Sequence, residues 1–489
     1  MSERRDGASS DGPIAPLYRR LPRGPHKLAP TEVAHHQRIR MHGAMVEAVA
    51  ANGYARTSVK QVIGLAGVSR RAFYEQFTNK QECFLATFDL IAARGAKHAT
   101  DAFRSTSGGV EERLRASYEV FTEGVAANPK GASLAILEAQ TAGTVGLAHM
   151  RRAAAAFEQM LCRTFASAPD MQPLPVPVAR AIVGGMHEAL SVRLRTGRTE
   201  EISTLSEELL AWTMLFQTPS LSRLPETLAQ HARIGEPGPM IAGFESGPRG
   251  GDLRERLLKS MLQLAAMDDY KGLSAPQVAE HAGVEPELFF DHFESKEDCF
   301  LAAFDELADE LLLAASDPGL ASGDWPAAVH RSIRELTCLL SDRPLYAHTI
   351  ARIAPGAGRQ VLERDFELAR KIGALLTDGA PKNGSQLAGE GIAGALWHTI
   401  RCQVVSNQIH LLPAFADYLA YVAIAPYIGA ESAADVVLEG VTGEAQRKPR
   451  SRGARAATGA NAGTAPSARA RSSRSRAVQR RRPARKDAR

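Results

Sequence analysis

The chain states one motif twice, and that repetition limits its architecture more than any other property of its 489 residues. The stretch from Tyr54 to Lys80 reads Tyr-Ala-Arg-Thr-Ser-Val-Lys-Gln-Val-Ile-Gly-Leu-Ala-Gly-Val-Ser-Arg-Arg-Ala-Phe-Tyr-Glu-Gln-Phe-Thr-Asn-Lys, and it returns without a gap from Tyr270 to Lys296. Gly67 pairs with Gly283, Phe77 with Phe293, Lys80 with Lys296 and Cys83 with Cys299, each 216 positions apart. A repeat has to be recognised first, because two units read as one give the wrong topology. The likeness continues further on. Ile182-Val-Gly-Gly-Met-His is echoed by Ile392-Ala-Gly-Ala-Leu-Trp, and Leu209-Leu-Ala-Trp by Leu419-Ala-Tyr. Each copy is therefore expected to be a complete unit.

Within the first copy, Ser58 is a natural N-cap, and Val59, Val62, Ile63 and Ala66 form one apolar face at helical spacing. Gly67 ends that helix, since a tight turn needs a residue that tolerates positive φ. Ser69 caps a second short helix with Phe73 and Phe77 facing inward, which leaves Arg70, Arg71, Tyr74 and Gln76 outside. A helix of this size, held by a short turn against a partner, fits the major groove of DNA. Gly-Val-Ser alone would equally suit an ordinary αα corner. The longer string is more specific: an amphipathic helix of about 20 residues, then Thr-Ser-Val, Ala-Gly-Val-Ser, Phe-Tyr-x-x-Phe-x-x-Lys and a new helix. It closely resembles the DNA-binding domain of TetR/AcrR-type transcriptional regulators over residues 33–92, and more weakly over 249–308.

The resemblance implies roles residue by residue. Ser69, Arg70, Arg71 and Ala72 stand where such proteins read bases, and paired arginines suit guanine, whose O6 and N7 accept a bidentate guanidinium. Tyr74 and Lys80 stand at phosphate-contact positions, Gln76 replaces a frequent histidine, and Ser58 at a helix N-terminus would offer its hydroxyl and amide to phosphate. In the second copy the same positions hold Glu285, Pro286, Glu287, Phe290, His292 and Lys296. Residues 58–82 carry a net charge of +2, whereas 274–298 carry −6. An acidic surface is repelled by a polymer with one negative charge per ~1.7 Å of axis. The second helix-turn-helix is thus expected to be intact in shape but not a specific reader of DNA.

The formal charge of +5 hides a division. Residues 447–489 hold +14 and residues 1–30 hold +3, which leaves −12 for 31–446. The basic tail, rich in Ala, Ser, Gly and Arg, has too few large apolar residues to bury a core. It could hold DNA without sequence choice or serve only solubility, and the basic N-terminal segment could act as an arm in the minor groove.

The fold class expected is all-α: a tandem duplication of a helix-turn-helix head followed by a helical regulatory domain, with disordered basic tails. The boundaries are a flexible arm at 1–32, a head at 33–92 and a ligand and dimerisation domain at 93–217. A linker at 218–248, a degenerate acidic head at 249–308, a second helical domain at 309–445 and the tail at 446–489 complete the chain. The start is charged, no run approaches the ~18 apolar residues of a membrane span, and the five cysteines are scattered with no Cys-x-x-Cys. A cytoplasmic protein with reduced thiols and no membrane partner is expected.

No nucleotide-binding loop, Gly-x-Ser-x-Gly or other catalytic signature is present, so an enzyme is not expected. Pocket candidates are Met186, His187 and Trp212 in the first unit and Trp397, His398, Tyr418 and Tyr421 in the second. His398 and Cys402 share a helical face, but two ligands are weak grounds for a metal, and no cofactor or metal is assigned. The function expected is a ligand-responsive, DNA-binding transcriptional regulator, more readily a repressor than an activator, with a small-molecule effector. The partner arrangement is either a homodimer or an intrachain pseudo-dimer of the two units. The alternative is a sequence-nonspecific DNA-binding protein driven by its basic tails, with both heads vestigial.

Overall fold

The computed structural model describes residues 29–224 and 251–445, apart from 268–269, 322 and 383–385. The N-terminal arm before residue 29, the rest of the linker and the basic tail lie outside the described residues. Those residues form helices only, with no strand among them. The first unit comprises α1 (Pro30–Arg56), α2 (Val59–Ala66), α3 (Arg70–Tyr74), α4 (Lys80–Ser105), α5 (Val110–Ala127), α6 (Pro129–Ser133), α7 (Gly143–Ala166), α8 (Val176–Thr196) and α9 (Ser206–Met214). The second repeats this order as α10 (Leu253–Met267), α11 (Ala275–His281), α12 (Pro286–Phe290), α13 (Lys296–Ala314), α14 (Trp325–Asp342), α15 (Pro344–His348), α16 (Arg359–Thr377), α17 (Gln386–Val405) and α18 (Ala416–Ile428), then adds α19 (Ala430–Ala445).

No regular helix continues from α6 to α7. After α6 the chain passes through a π turn at Leu134–Glu138 and a 3-10 turn at Ala139–Ala142, and the second unit repeats this with a π turn at Thr349–Ile353. Such turns shift the helical register, so the apolar period alone does not reveal them.

Each head closes on the same turn. Gly67 (φ 62°) and Gly283 (φ 67°) both adopt the left-handed conformation that glycine accepts without a Cβ clash. In the first head Met41, Val49, Val62, Phe73, Phe77 and Phe84 form a cluster of their own, joined by Leu134 and Ala139 from the body. The buried side chains of the second head are continuous with the main core of the molecule. The first head is therefore the more separable of the two.

His42 sits in the first head's core, 5% exposed, where the second copy has Leu258. Thr87 gives its hydroxyl proton to the Cys83 carbonyl at 2.7 Å, so its oxygen accepts from His42 Nδ1 at 2.8 Å. Burial, helped by Arg38, lowers the His42 pKa to about 4. The unfolded chain takes up a proton near pH 6.5 that the folded head refuses. Stability is thus lost as pH falls from 6.5 towards 4, by up to about 3 kcal/mol from this group. His42→Leu is expected to flatten that part of the pH profile of chemical unfolding. An unchanged profile would mean that His42 is protonated in the fold.

The two units pair within the chain. Between separate elements the most extensive contact is α8 against α17, and both helices are buried on most of their circumference, as expected of helices with apolar residues all round. They cross at Gly184 and Gly394. A Cβ on Gly184 would lie 2.6 Å from the Gly394 carbonyl oxygen and 2.6 Å from His398 Cβ; one on Gly394 would lie 2.4 Å from the Gly184 oxygen and 2.6 Å from Glu188 Cβ. Because 184 corresponds to 394 and 188 to 398, these contacts are related by a pseudo-twofold axis. Trp212 of α9 lies against Gly185 and Gly391, where an added Cβ would come within 2.8 Å of its ring. The ring nitrogen donates to the Ile182 carbonyl at 3.2 Å.

Charge favours this unlike pairing over a like one. Arg193 Nη1 meets Glu390 Oε2 at 2.6 Å across the junction. By the pseudo-axis Glu390 corresponds to Arg180, so two first units paired together would set Arg193 against Arg180. The stretch expected to be linker begins inside this fold: Leu221 and Leu224 are buried and Ser220 donates to Glu431 of α19 at 2.7 Å. The segment Ile409–Ile428, contrary to the sequence expectation, has the length and hydropathy of a membrane span, but 67% of its apolar window is buried inside the protein. It packs against α14 and, less extensively, against α17 and α8.

Candidate functional site

The first head presents a short helix to solvent. Ser69 caps it, its Oγ accepting from the Ala72 amide at 3.1 Å, while Phe73 and Phe77 anchor it inside. Arg70, Arg71, Tyr74 and Glu75 are exposed. The Arg70 guanidinium lies 5.5 Å from the Tyr74 ring centre, and Arg71 Nε donates to Glu75 Oε1 at 2.8 Å. This hydrogen bond, with the Glu75 charge, raises the Arg71 pKa. An exposed i,i+4 pair of this kind exchanges readily for another anion.

Three expected contacts differ from the geometry. Ala72 is buried and faces the head's core. Ser58 spends its amide and hydroxyl on Gln61 Oε1, at 2.8 and 2.9 Å, in a capping box. Lys80 Nζ donates to the Tyr54 carbonyl at 3.0 Å and sits 4.3 Å from the Tyr54 ring centre. Burial lowers its pKa, with a smaller contribution from Lys271. Lys296 does the same in the second head, donating to the Tyr270 carbonyl at 3.2 Å and to Leu273 at 2.8 Å. The lysine thus staples the end of the first helix to the start of the fourth, which is why it persists in the acidic copy. Gln76 is half-buried, and its oxygen accepts from Arg38 at 3.4 Å.

The second head keeps the shape and reverses the chemistry. Pro286 opens α12, Glu285 caps it without a side-chain hydrogen bond, and Glu287, Phe290, Asp291 and His292 are exposed. Where Arg71 faces Glu75, Glu287 stands four residues before Asp291, a like-charge pair.

Behind the first head lies a cavity of about 840 Å³, walled by α4, α5, α7 and α8 and closed on one side by α17 of the other unit. That volume falls within the range of small-molecule sites. Phe103, Tyr118, Phe121, Phe157, Met160 and Met186 make it mainly apolar. Of the sequence candidates, Met186, His187, Trp397 and His398 line it; Trp212, Tyr418 and Tyr421 are instead packed at the junction and in the core. His187 Nε2 is buried without a hydrogen-bond partner, and burial, with nearby cations, lowers its pKa to about 3. At the matching positions the second unit has Trp397 and Arg401, both bonded to buried Asp365, at 3.0 and 2.6 Å.

Residues missed in the sequence complete one wall. Glu158 of α7 lies 3.3 Å from both Arg151 Nη1 and His398 Nε2 and forms an ion pair with Arg180 Nε at 3.5 Å without a hydrogen bond, and Cys402 Sγ lies 3.6 Å from that same imidazole nitrogen. Donor atoms of Glu158, His398 and Cys402 lie within 4.8 Å of one another. Two guanidiniums beside the single carboxylate disfavour a cation there. Nothing local in the sequence joins residues 158 and 398; only the fold does.

The model of the tetR family of bacterial regulatory proteins matches residues 44–87 and 257–303, one match in each head. No curated protein matches the chain. Among solved structures, the fatty acid degradation regulator FadR from Bacillus halodurans is 18% identical, with a TM-score of 0.33, covering 36% of this chain and 96% of its own. FadR from Bacillus subtilis, described in complex with stearoyl-CoA, gives the same four values: 18%, 0.33, 36% and 96%. A TetR-like transcriptional regulator from Rhodococcus sp. RHA1 is 20% identical, with a TM-score of 0.31, covering 39% of this chain and 96% of its own.

Proposed function

We propose, from the premise that the chain belongs to the tetR family as two tandem units, that it is a DNA-binding transcriptional repressor with divided labour. The first unit reads the major groove and senses a ligand; the second serves as its built-in partner. The observation that carries this reading is the coincidence of two features in one unit. Only the first head exposes arginines on its reading helix, and the large cavity lies behind that same head.

Helix α4 supplies the mechanical link. Its first turns carry Cys83, Phe84 and Phe88 in the core of the first head, and its later residues, from Leu90 to Arg104, line the cavity. A ligand that fits one placement of α4 better than another shifts the head by that difference in affinity. The lining suits a largely apolar molecule with a polar or anionic group directed at Arg151, Arg401 or the unpartnered His187 nitrogen. Occupancy is expected to weaken DNA binding.

Selection of sites from random double-stranded DNA by the full chain, at salt high enough to suppress contacts from the basic tail, tests the reading. A palindrome is expected, each half read by the first head of a separate chain. Two unlike half-sites would assign reading to the acidic head as well. No enriched sequence would move the function to nonspecific binding by the tails.

A further inference from the structure

We propose that Cys402 is a built nucleophile that captures α,β-unsaturated carbonyl compounds entering the cavity. Its sulfur lies 3.6 Å from His398 Nε2, and that nitrogen lies 3.3 Å from Glu158 Oε1. The thiol and the carboxylate thus converge on one imidazole nitrogen across the unit junction, Glu158 coming from α7 and His398 and Cys402 from α17, so that Glu158 faces the imidazolium once Nε2 has taken the thiol proton. Arg151 and Arg180 flank it.

Charge decides what this arrangement is suited to. With one carboxylate and two guanidiniums the cluster carries +1 before anything enters, and moving the thiol proton to the imidazole leaves that sum unchanged. A divalent cation would raise the positive charge further, whereas a neutral electrophile leaves the sum unchanged and only moves the thiolate's charge onto the enolate, beside the guanidiniums. Burial acts against both ions, yet Cys402 and Glu158 raise His398 to about 9, and His398 holds the Cys402 thiol below its usual range. Burial instead pushes Cys83 and Cys299 up to about 12.

Access runs through the cavity, which Cys402 lines and which reaches the surface at Leu90 and Val405, 37% and 38% exposed. In the reaction the thiolate sulfur bonds to the β-carbon, and the carbon–carbon π pair moves to give the enolate. His398 then returns its Nε2 proton to the α-carbon. The products are a thioether and a neutral imidazole, with no oxidation, no reduction and no leaving group. The site is single in the chain, because the positions matching His398 and Cys402 are Glu188 and Val192.

Timed labelling of the full chain with N-ethylmaleimide at pH 6 and pH 8, mapped by peptide mass spectrometry, tests this without involving DNA. Cys402 is expected to react at least about tenfold faster at pH 6 than half-buried Cys162, whose thiol burial and the Glu158 charge hold above its usual range. His398→Gln should remove that advantage at pH 6 while narrowing the difference at pH 8, a change of pH profile that loss of packing alone does not produce. Glu158→Gln should shift the profile in the same direction, and serves if the first variant folds poorly. Labelling of Cys162 ahead of Cys402 at pH 6 would overturn the proposal. So would stoichiometric protection of Cys402 by zinc, which would make the cluster a metal site.

Discussion

Gly394→Leu is expected to unfold the junction between the two units and lower the melting temperature by several degrees, whereas Gly389→Ala on the same helix leaves it intact. At position 394 an added Cβ would meet the Gly184 carbonyl oxygen at 2.4 Å and the Glu188 Cβ at 2.6 Å. The first of these is backbone and cannot rotate away, so the helices must part. Overpacking of this kind costs about 1–3 kcal/mol or more, and each kcal/mol lowers the midpoint by about 2–4 °C in domains of this size. Parting α8 from α17 also breaks the Arg193–Glu390 pair and withdraws the wall that closes the cavity. At Gly389, nothing lies within 4 Å of an added Cβ, and alanine gains up to about 1 kcal/mol of helix propensity. Calorimetry with small-angle scattering reads both effects: a lower midpoint and a larger radius for Gly394→Leu, neither for Gly389→Ala. A wild-type midpoint in Gly394→Leu would mean that the crossing is not where the units meet.

That junction also marks the limit of what the sequence reveals. The repeat, the turn glycines and the helix caps are local features, and the heads follow from them. The charge reversal between the two heads was legible too, because it needs no coordinates. Pairing was not. Helices α8 and α17 carry apolar residues on most faces among a few charges, so their pattern says that they are buried without saying against what. The sequence left a homodimer and an intrachain pair open, and the structure packs unit against unit within one chain. The carbonyl contact of Lys80 was not read from the sequence: the resemblance assigned Lys80 to DNA, and the retention of Lys296 in an acidic copy was the available sign of a structural duty as well. Glu158 was invisible because its partners His398 and Cys402 come from a segment some 240 positions away.

The sharpest functional contrast lies between matched positions of the two heads. Arg71→Glu is expected to abolish selective DNA binding, and Glu287→Ala to leave it almost unchanged. Arg71 is exposed on the reading helix, held only by Glu75, and a glutamate there recreates the pairing found in the second head. The loss combines one base contact, worth about ten- to hundredfold in discrimination, with repulsion from nearby phosphates. Arg70→Ala should cost a similar factor without the repulsion. Glu287 lies in a head of net −6 over residues 274–298, so removing one carboxylate still leaves an anionic surface. Lys80→Ala separates structure from reading: it removes the bond to the Tyr54 carbonyl, so it should lower the thermal stability of the first head and leave the salt slope of DNA binding unchanged. Titrations of a selected site at several salt concentrations distinguish these cases. Equal losses from Arg71→Glu and Glu287→Ala would mean that both heads touch DNA, and the division of labour between the units would have to be abandoned.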